Sequence, residues 1–114
     1  MFANKTTEEN MSELDFHQAL PNLDKTTEWY LLETVYCLEH YVGMTTKAAY
    51  ETILSSSNLM NLLRDDPRMM HTEPAFYWAM CIVHGFGSLW WHDKHLWALH
   101  NEYVKERHHP PVSE

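Results

Sequence analysis

A chain of 114 residues has the length of a single domain, and at that size it buries a hydrophobic core without disulfides. Its 16 acidic and 8 basic residues give a formal net charge of −8, which argues against nucleic acid as a partner, because phosphates require Lys and Arg. With no signal peptide and no apolar run of about 20 residues, we expect a cytoplasmic protein that does not enter a membrane.

The first 25 residues predict a short, partly ordered N-terminal arm, because they are polar and show no sustained hydrophobic period. A weak helix is predicted within the arm over residues 12–20, and Pro21 ends it. We expect a single helical domain over residues 26–109 and a C-terminal tail over residues 110–114, where Pro110 and Pro111 stop the last helix.

Apolar residues spaced three and four apart predict three consecutive helices after the arm. They cover residues 28–42, 45–55 and 58–64. Gly43 ends the first of them, because glycine tolerates the left-handed conformation of a helix C-terminus. Cys37 and Cys81 both lie in apolar segments, so we expect buried free thiols.

The apolar stretch 74–83 carries no charged residue and predicts a helix enclosed by protein, running to about His84. Gly85 and Gly87 allow a bend, after which a fifth helix is predicted over residues 89–107. The fold class expected from these elements is all-α: a compact bundle of about five helices with a short N-terminal arm.

The middle of the chain, over about residues 28–84, resembles a domain-of-unknown-function family of small bacterial helical proteins that often occurs near toxin–antitoxin genes. The resemblance rests on the order of its segments. These are the aromatic helix 30–42, Thr45-Thr46-Lys47-Ala48-Ala49-Tyr50, the leucines 59, 62 and 63, and His71-Thr72 before a helix ending near Ile82. It implies a helical fold and a toxin–antitoxin or phage-related setting, and the chain departs from the family after Gly85.

Aromatic residues are unusually dense after residue 74, and one small domain does not bury all of them. Trp90 and Trp91 are adjacent, so a helix cannot point both in one direction, and at least one must face outward or toward another chain. Because Trp and Tyr dominate interface hot spots, we expect a protein–protein interaction or self-association module. Its predicted partner-binding residues are Trp90, Trp91, Trp97 and Tyr103.

The alternative function is a small-ligand or metal binder with a pocket of histidines and tryptophans. Its candidate ligands are His71, His84, His92 and His95, with Zn²⁺ or another divalent metal as the cofactor. His92 and His95 would share one face of the fifth helix at a spacing of three residues. A zinc site needs three or four ligands, so this alternative requires at least three of the histidines to converge.

No catalytic motif is present: the serines 55–57 lack a nucleophile-elbow context, and both cysteines have apolar neighbours. We therefore favour a protein that is not an enzyme and that needs no cofactor.

A third hypothesis is acid-triggered assembly, because seven of the nine histidines fall in residues 67–114.

Overall fold

The computed structural model describes residues 16–111, and every regular element in that range is helical, which confirms the all-α class. The α-helices are α1 (Phe16–Ala19), α2 (Lys25–Cys37), α3 (Thr46–Ser55), α4 (Ser57–Asp65), α5 (Ala75–His84) and α6 (Lys94–Arg107). A π-helical turn, Leu38–Val42, extends α2, and two 3-10 segments, Pro67–Thr72 and Trp90–His92, precede α5 and α6. No helix within residues 16–111 is long and apolar enough to cross a membrane.

Short polar side chains set where the helices begin. Asp24 caps α2 by accepting the Thr27 backbone N–H at 3.1 Å, so this helix begins three residues before the predicted start. Thr45 caps α3, as expected, through the Ala48 N–H at 3.1 Å. Ser56 caps α4 through the Leu59 N–H. The starts of α2, α3 and α4 therefore each follow a side chain that accepts an orphan N–H group, whereas α5 begins after Pro74 without a side-chain cap.

The first long helix ends at the predicted residue, but its last turn is π-helical rather than α-helical. Gly43 adopts a φ of 89° and terminates the helix as predicted. The last turn is wider than an α-helix, because the Gly43 N–H reaches the carbonyl of Leu38, five residues earlier. The chain then turns directly into α3, which packs beside α2.

The prediction of one continuous helix over residues 89–107 is wrong in its first turn. Residues Trp90–His92 form a separate 3-10 turn, and α6 begins only after Asp93. The Asp93 carboxylate accepts the Leu96 backbone N–H at 3.0 Å and is thus a helix cap. An aspartate that bonds to its local backbone competes with helix continuation, which explains the break.

Helix α5 lies at the centre of the fold and packs against both α2 and α6, as its uncharged sequence predicts. Its buried side chains are Ala75, Phe76, Trp78, Ala79, Met80 and Cys81. The Trp78 indole N–H donates to the Met70 carbonyl at 2.9 Å and ties the helix to the preceding 3-10 segment. Tyr77 and Ile82 are half-buried and Val83 is exposed, so protein does not cover one side of this apolar helix.

The described part of the predicted N-terminal arm belongs to the hydrophobic core. Phe16 and Leu20 are both buried, and the Phe16 ring stacks on Tyr50 with ring centroids 4.7 Å apart. The helix predicted over 12–20 is present as α1, and the rest of that prediction lies outside the described residues. The domain therefore begins earlier than the predicted boundary at residue 26.

A buried carboxylate joins the first long helix, α2, to the last helix, α6. Glu33 of α2 accepts the Tyr103 hydroxyl at 2.9 Å and both Nε and a terminal nitrogen of Arg107, at 3.0 and 2.6 Å. The Arg107 guanidinium also lies 3.6 Å above the centre of the Tyr36 ring. The hydrogen bond to Glu33 raises the pKa of Arg107, so the guanidinium stays charged. These contacts fix the C-terminal half of α6 against α2.

Replacing Glu33 with alanine removes the acceptor of both Tyr103 and Arg107. Because the Tyr103 hydroxyl is then buried without a partner, we expect a loss of about 2–4 kcal/mol in the free energy of unfolding. Urea denaturation measures this loss. The matched control Glu51→Ala, at an exposed carboxylate of α3, should change stability by less than about 0.5 kcal/mol. An equal effect of both substitutions would contradict the structural role of Glu33.

His108 lies against the same cluster, with its ring centroid 6.0 Å from those of Trp29 and Tyr30. Its Nδ1 atom is buried and has no hydrogen-bond partner within the described residues. Burial lowers the pKa of His108, and the neighbouring His109 and His100 lower it further, while Glu33 acts in the opposite direction. The folded protein therefore favours the neutral imidazole.

A lowered histidine pKa makes the folded state less stable in acid. The contribution of His108 is fully present above its unfolded pKa of about 6.5 and is lost as the pH falls toward its lower folded pKa. We expect His108→Phe, which keeps a ring but cannot titrate, to lose less stability than the wild type between about pH 7.5 and 5.5. Urea denaturation at the two pH values tests this, and an unchanged pH dependence would refute it. The control His84→Gln, at an exposed imidazole, should behave as the wild type does.

Candidate functional site

A concave surface rich in aromatic rings lies between α5, the 3-10 turn Trp90–His92 and α6. It has a volume of about 450 Å³, and we call it the aromatic groove. Its lining residues are Glu73, Pro74, Tyr77, Trp90, Trp91, Trp97, His100 and Val104. Three of the four predicted partner-binding residues, the tryptophans, therefore lie in one groove.

The two adjacent tryptophans point in different directions, as the sequence required. Trp90 is 4% exposed and packs edge-on against Phe76 of α5, with ring centroids 5.7 Å apart. Trp91 is 37% exposed, and its ring is nearly perpendicular to that of Trp90. Trp90 thus forms the floor of the aromatic groove, whereas Trp91 forms part of its rim.

Two pairs of nearly parallel rings form the walls of the groove. On one side Tyr77 faces Trp91, with an interplanar angle of 20° and centroids 6.2 Å apart. On the other side Trp97 stacks on His100, with centroids 4.4 Å apart and an angle of 8°. His100 covers only one face of the Trp97 ring, and the Trp97 side chain therefore remains 44% exposed. Each wall therefore offers aromatic surface to a molecule in the groove.

The prediction that Tyr103 binds a partner is wrong. Its side chain is 0% exposed, and its hydroxyl donates to Glu33 inside the protein. Burial raises the pKa of Tyr103, in keeping with a neutral phenol in the core. Tyr103 lies one helical turn before Arg107, so both side chains of α6 turn toward α2 and away from solvent.

The four histidines of the metal hypothesis are spread over the surface. His71 stacks on Tyr30, with centroids 5.0 Å apart, and its Nε2 lies 2.8 Å from the Thr27 hydroxyl. His84, His92 and His95 are exposed, and the break at Asp93 places His92 outside α6. Within residues 16–111, no group of three or more His, Cys, Asp and Glu side chains is placed to hold a metal ion. The described geometry thus offers nothing that supports this alternative.

His100 is a groove residue that the sequence reasoning missed. Besides stacking on Trp97, its ring lies 6.0 Å from that of Trp90 and 5.9 Å from that of Phe76. The signal was present in the sequence, because residues 97, 100 and 104 are spaced three and four apart and share one face of a helix. His100 closes the groove between its floor and the Trp97 wall.

Glu73 is the one carboxylate that lines the aromatic groove. Burial raises the pKa of Tyr77, and the nearby Cys81 and the negative charge of Glu73 raise it further. Burial also raises the pKa of Cys81, while the neighbouring Tyr77 and Trp90 side chains act in the opposite direction. The groove therefore presents a neutral phenol, a protonated thiol below its floor and a single negative charge.

Neither cysteine is placed to act as a nucleophile. Cys37 and Cys81 are buried free thiols, as predicted. Burial raises the pKa of Cys37 as well, so neither side chain is a thiolate near neutral pH.

A second, more open groove of about 590 Å³ is lined by the serines 55–57, together with Glu51, Thr52 and Phe86. No histidine lines it, so these serines have no imidazole base beside them there.

Comparisons with protein-family models, with curated proteins and with solved structures found no match to this chain.

The exposure of the tryptophans predicts how strongly each contributes to stability. Trp90→Ala empties the floor of the groove and should cost about 3–5 kcal/mol of unfolding free energy. Trp97→Ala removes a ring that is already 44% exposed and should cost about 1 kcal/mol or less. Urea denaturation of the two variants measures the difference. If Trp97→Ala proved as destabilising as Trp90→Ala, Trp97 would be a core residue rather than an accessible groove wall.

Proposed function

We propose that this protein is a protein-binding module whose partner inserts side chains into the aromatic groove. The observation that carries the proposal is that two partly exposed tryptophans, Trp91 and Trp97, line the same concave surface. Folding leaves much of these large rings uncovered, whereas Trp90 beside them is fully packed. Exposed aromatic surface around a groove is typical of an interaction site.

The geometry suits a short segment of another chain rather than a broad, flat interface. The groove walls come from α5, the 3-10 turn and α6, and the ion pair between Glu33 and Arg107 fixes α6 in place. A groove formed before binding requires little ordering of its own side chains, which lowers the entropic cost of association. Burial of the exposed parts of Trp91 and Trp97 then supplies the favourable free energy.

The net charge favours a partner different from this chain. Two copies that each carry a net charge of −8 repel one another, which opposes self-association. We therefore infer a non-identical protein partner, with a homo-oligomer as the competing outcome. An accessory role in a toxin–antitoxin or phage-related system is part of the proposal only through the sequence resemblance.

A display library of random dodecapeptides, selected on the immobilised protein, tests this function. We expect enriched peptides that bind the wild type and bind Trp97→Ala at least about tenfold more weakly, a loss of about 1.4 kcal/mol. The matched control is Leu32→Ala, which removes a side chain of similar exposure on α2. That variant should bind the peptides as the wild type does.

Two results would overturn the proposed function. One is a selection in which every enriched peptide binds wild type, Trp97→Ala and Leu32→Ala equally, because the groove would then play no part. The other is a stable homodimer by sedimentation equilibrium that dissociates in Trp97→Ala, because a second copy would then occupy the groove. A monomeric wild type agrees with a non-identical partner.

A further inference from the structure

The lining of the aromatic groove has a specific charge pattern. Of its eight lining residues, Glu73 is the one with an acidic side chain, and none is Lys or Arg. Four of the lining residues, Tyr77, Trp90, Trp91 and Trp97, carry aromatic rings of the phenol or indole type. The face of an aromatic ring carries partial negative charge, so four rings and a carboxylate together form an electronegative surface that attracts a cation.

The protein already binds one cation with the same two kinds of group. The Arg107 guanidinium lies 3.6 Å above the centre of the Tyr36 ring and pairs through two nitrogens with the Glu33 carboxylate. This arrangement shows how a ring and a carboxylate of one helix, α2, hold the planar guanidinium of a neighbouring helix, α6. The aromatic groove contains the same chemical groups, a carboxylate and exposed rings, without an arginine of its own among the lining residues.

We propose that the aromatic groove binds an arginine side chain of the partner protein, with the guanidinium against the exposed faces of Trp91 and Trp97 and paired with the Glu73 carboxylate. This inference rests on the proposed function and names the chemistry of the partner. His100 covers one face of Trp97, so the opposite face is the one available to the guanidinium.

Arginine fits this surface better than lysine. Its guanidinium is planar, is more weakly hydrated than an ammonium group, and stacks on rings while it bonds to a carboxylate. The net charge of −8 also attracts a basic segment over a longer range. The partner is therefore a protein segment in which an arginine is flanked by apolar residues that cover the groove walls.

The test uses an acetylated and amidated pentapeptide, Ala-Leu-Arg-Leu-Ala, and the same peptide with citrulline in place of arginine. Citrulline keeps the planar shape and removes the charge. Titrations followed by tryptophan fluorescence should show that the arginine peptide binds the wild type at least about fivefold more tightly. In Glu73→Gln this preference should shrink to less than about twofold, while the control Glu51→Gln, at an exposed carboxylate elsewhere, should retain it.

Each outcome bears on a different part of the account. Equal binding of the arginine and citrulline peptides, or no binding of either, overturns the arginine inference. The protein-binding function then still stands if the displayed dodecapeptides depend on Trp97. A preference that Glu73→Gln leaves unchanged, or that Trp97→Ala leaves unchanged, also overturns the inference, because the cation would be bound elsewhere. Thermal unfolding of each variant establishes that it is folded at the temperature of the titration.

Discussion

The fold and its candidate site both depend on the contact between the buried carboxylate of Glu33 and the partly exposed guanidinium of Arg107. These residues are 74 positions apart in sequence, and their pairing fixes the last helix of the domain against the first long one. Tyr103 binds the same carboxylate from one turn earlier, so α6 is held at two points and cannot rotate about its axis. A buried carboxylate that lost these partners would be costly, and this cost makes the orientation of α6 specific.

The orientation of α6 in turn creates the aromatic groove. With Tyr103 and Arg107 turned toward α2, the adjacent face of α6 places Trp97, His100 and Val104 opposite α5. Helix α5 is uncharged along its length, yet α2 and α6 leave part of it uncovered at Tyr77. The groove is thus the place where an apolar helix has no further helix to cover it. A partner segment bound in the groove would bury the apolar surface of α5 that α2 and α6 leave exposed.

Local sequence predicted most of the helices, because each is encoded by neighbouring residues. The cap at Thr45, the stop at Gly43 and the apolar strip of α5 all act within a few positions. Asp93 was the local exception: its side chain ends the 3-10 turn and starts α6, although the surrounding pattern favours one continuous helix. A short polar side chain inside an apolar pattern therefore has two interpretations that spacing alone does not separate.

The sequence predicted the candidate site only where the positions of side chains follow from residues that are neighbours in sequence. Trp90 and Trp91 had to diverge, and they do, whereas the burial of Tyr103 depends on Glu33, seventy positions away. The histidines show the same limit. Tertiary packing places His71 on Tyr30 and leaves His84 exposed, so a shared residue type did not imply a shared site. Long-range pairing of polar side chains leaves no periodic trace in a single sequence.

The central claim is that a partner enters the aromatic groove, and the indole N–H resonances of the five tryptophans test it most directly. A two-dimensional ¹⁵N–¹H NMR titration with a dodecapeptide enriched in the display selection reports each indole separately. We expect the resonances of Trp91 and Trp97 to shift in a saturable manner, while those of Trp29 and Trp78, outside the groove, stay in place. Saturable shifts confined to Trp29 or Trp78, or no shift of Trp91 and Trp97, would contradict this claim.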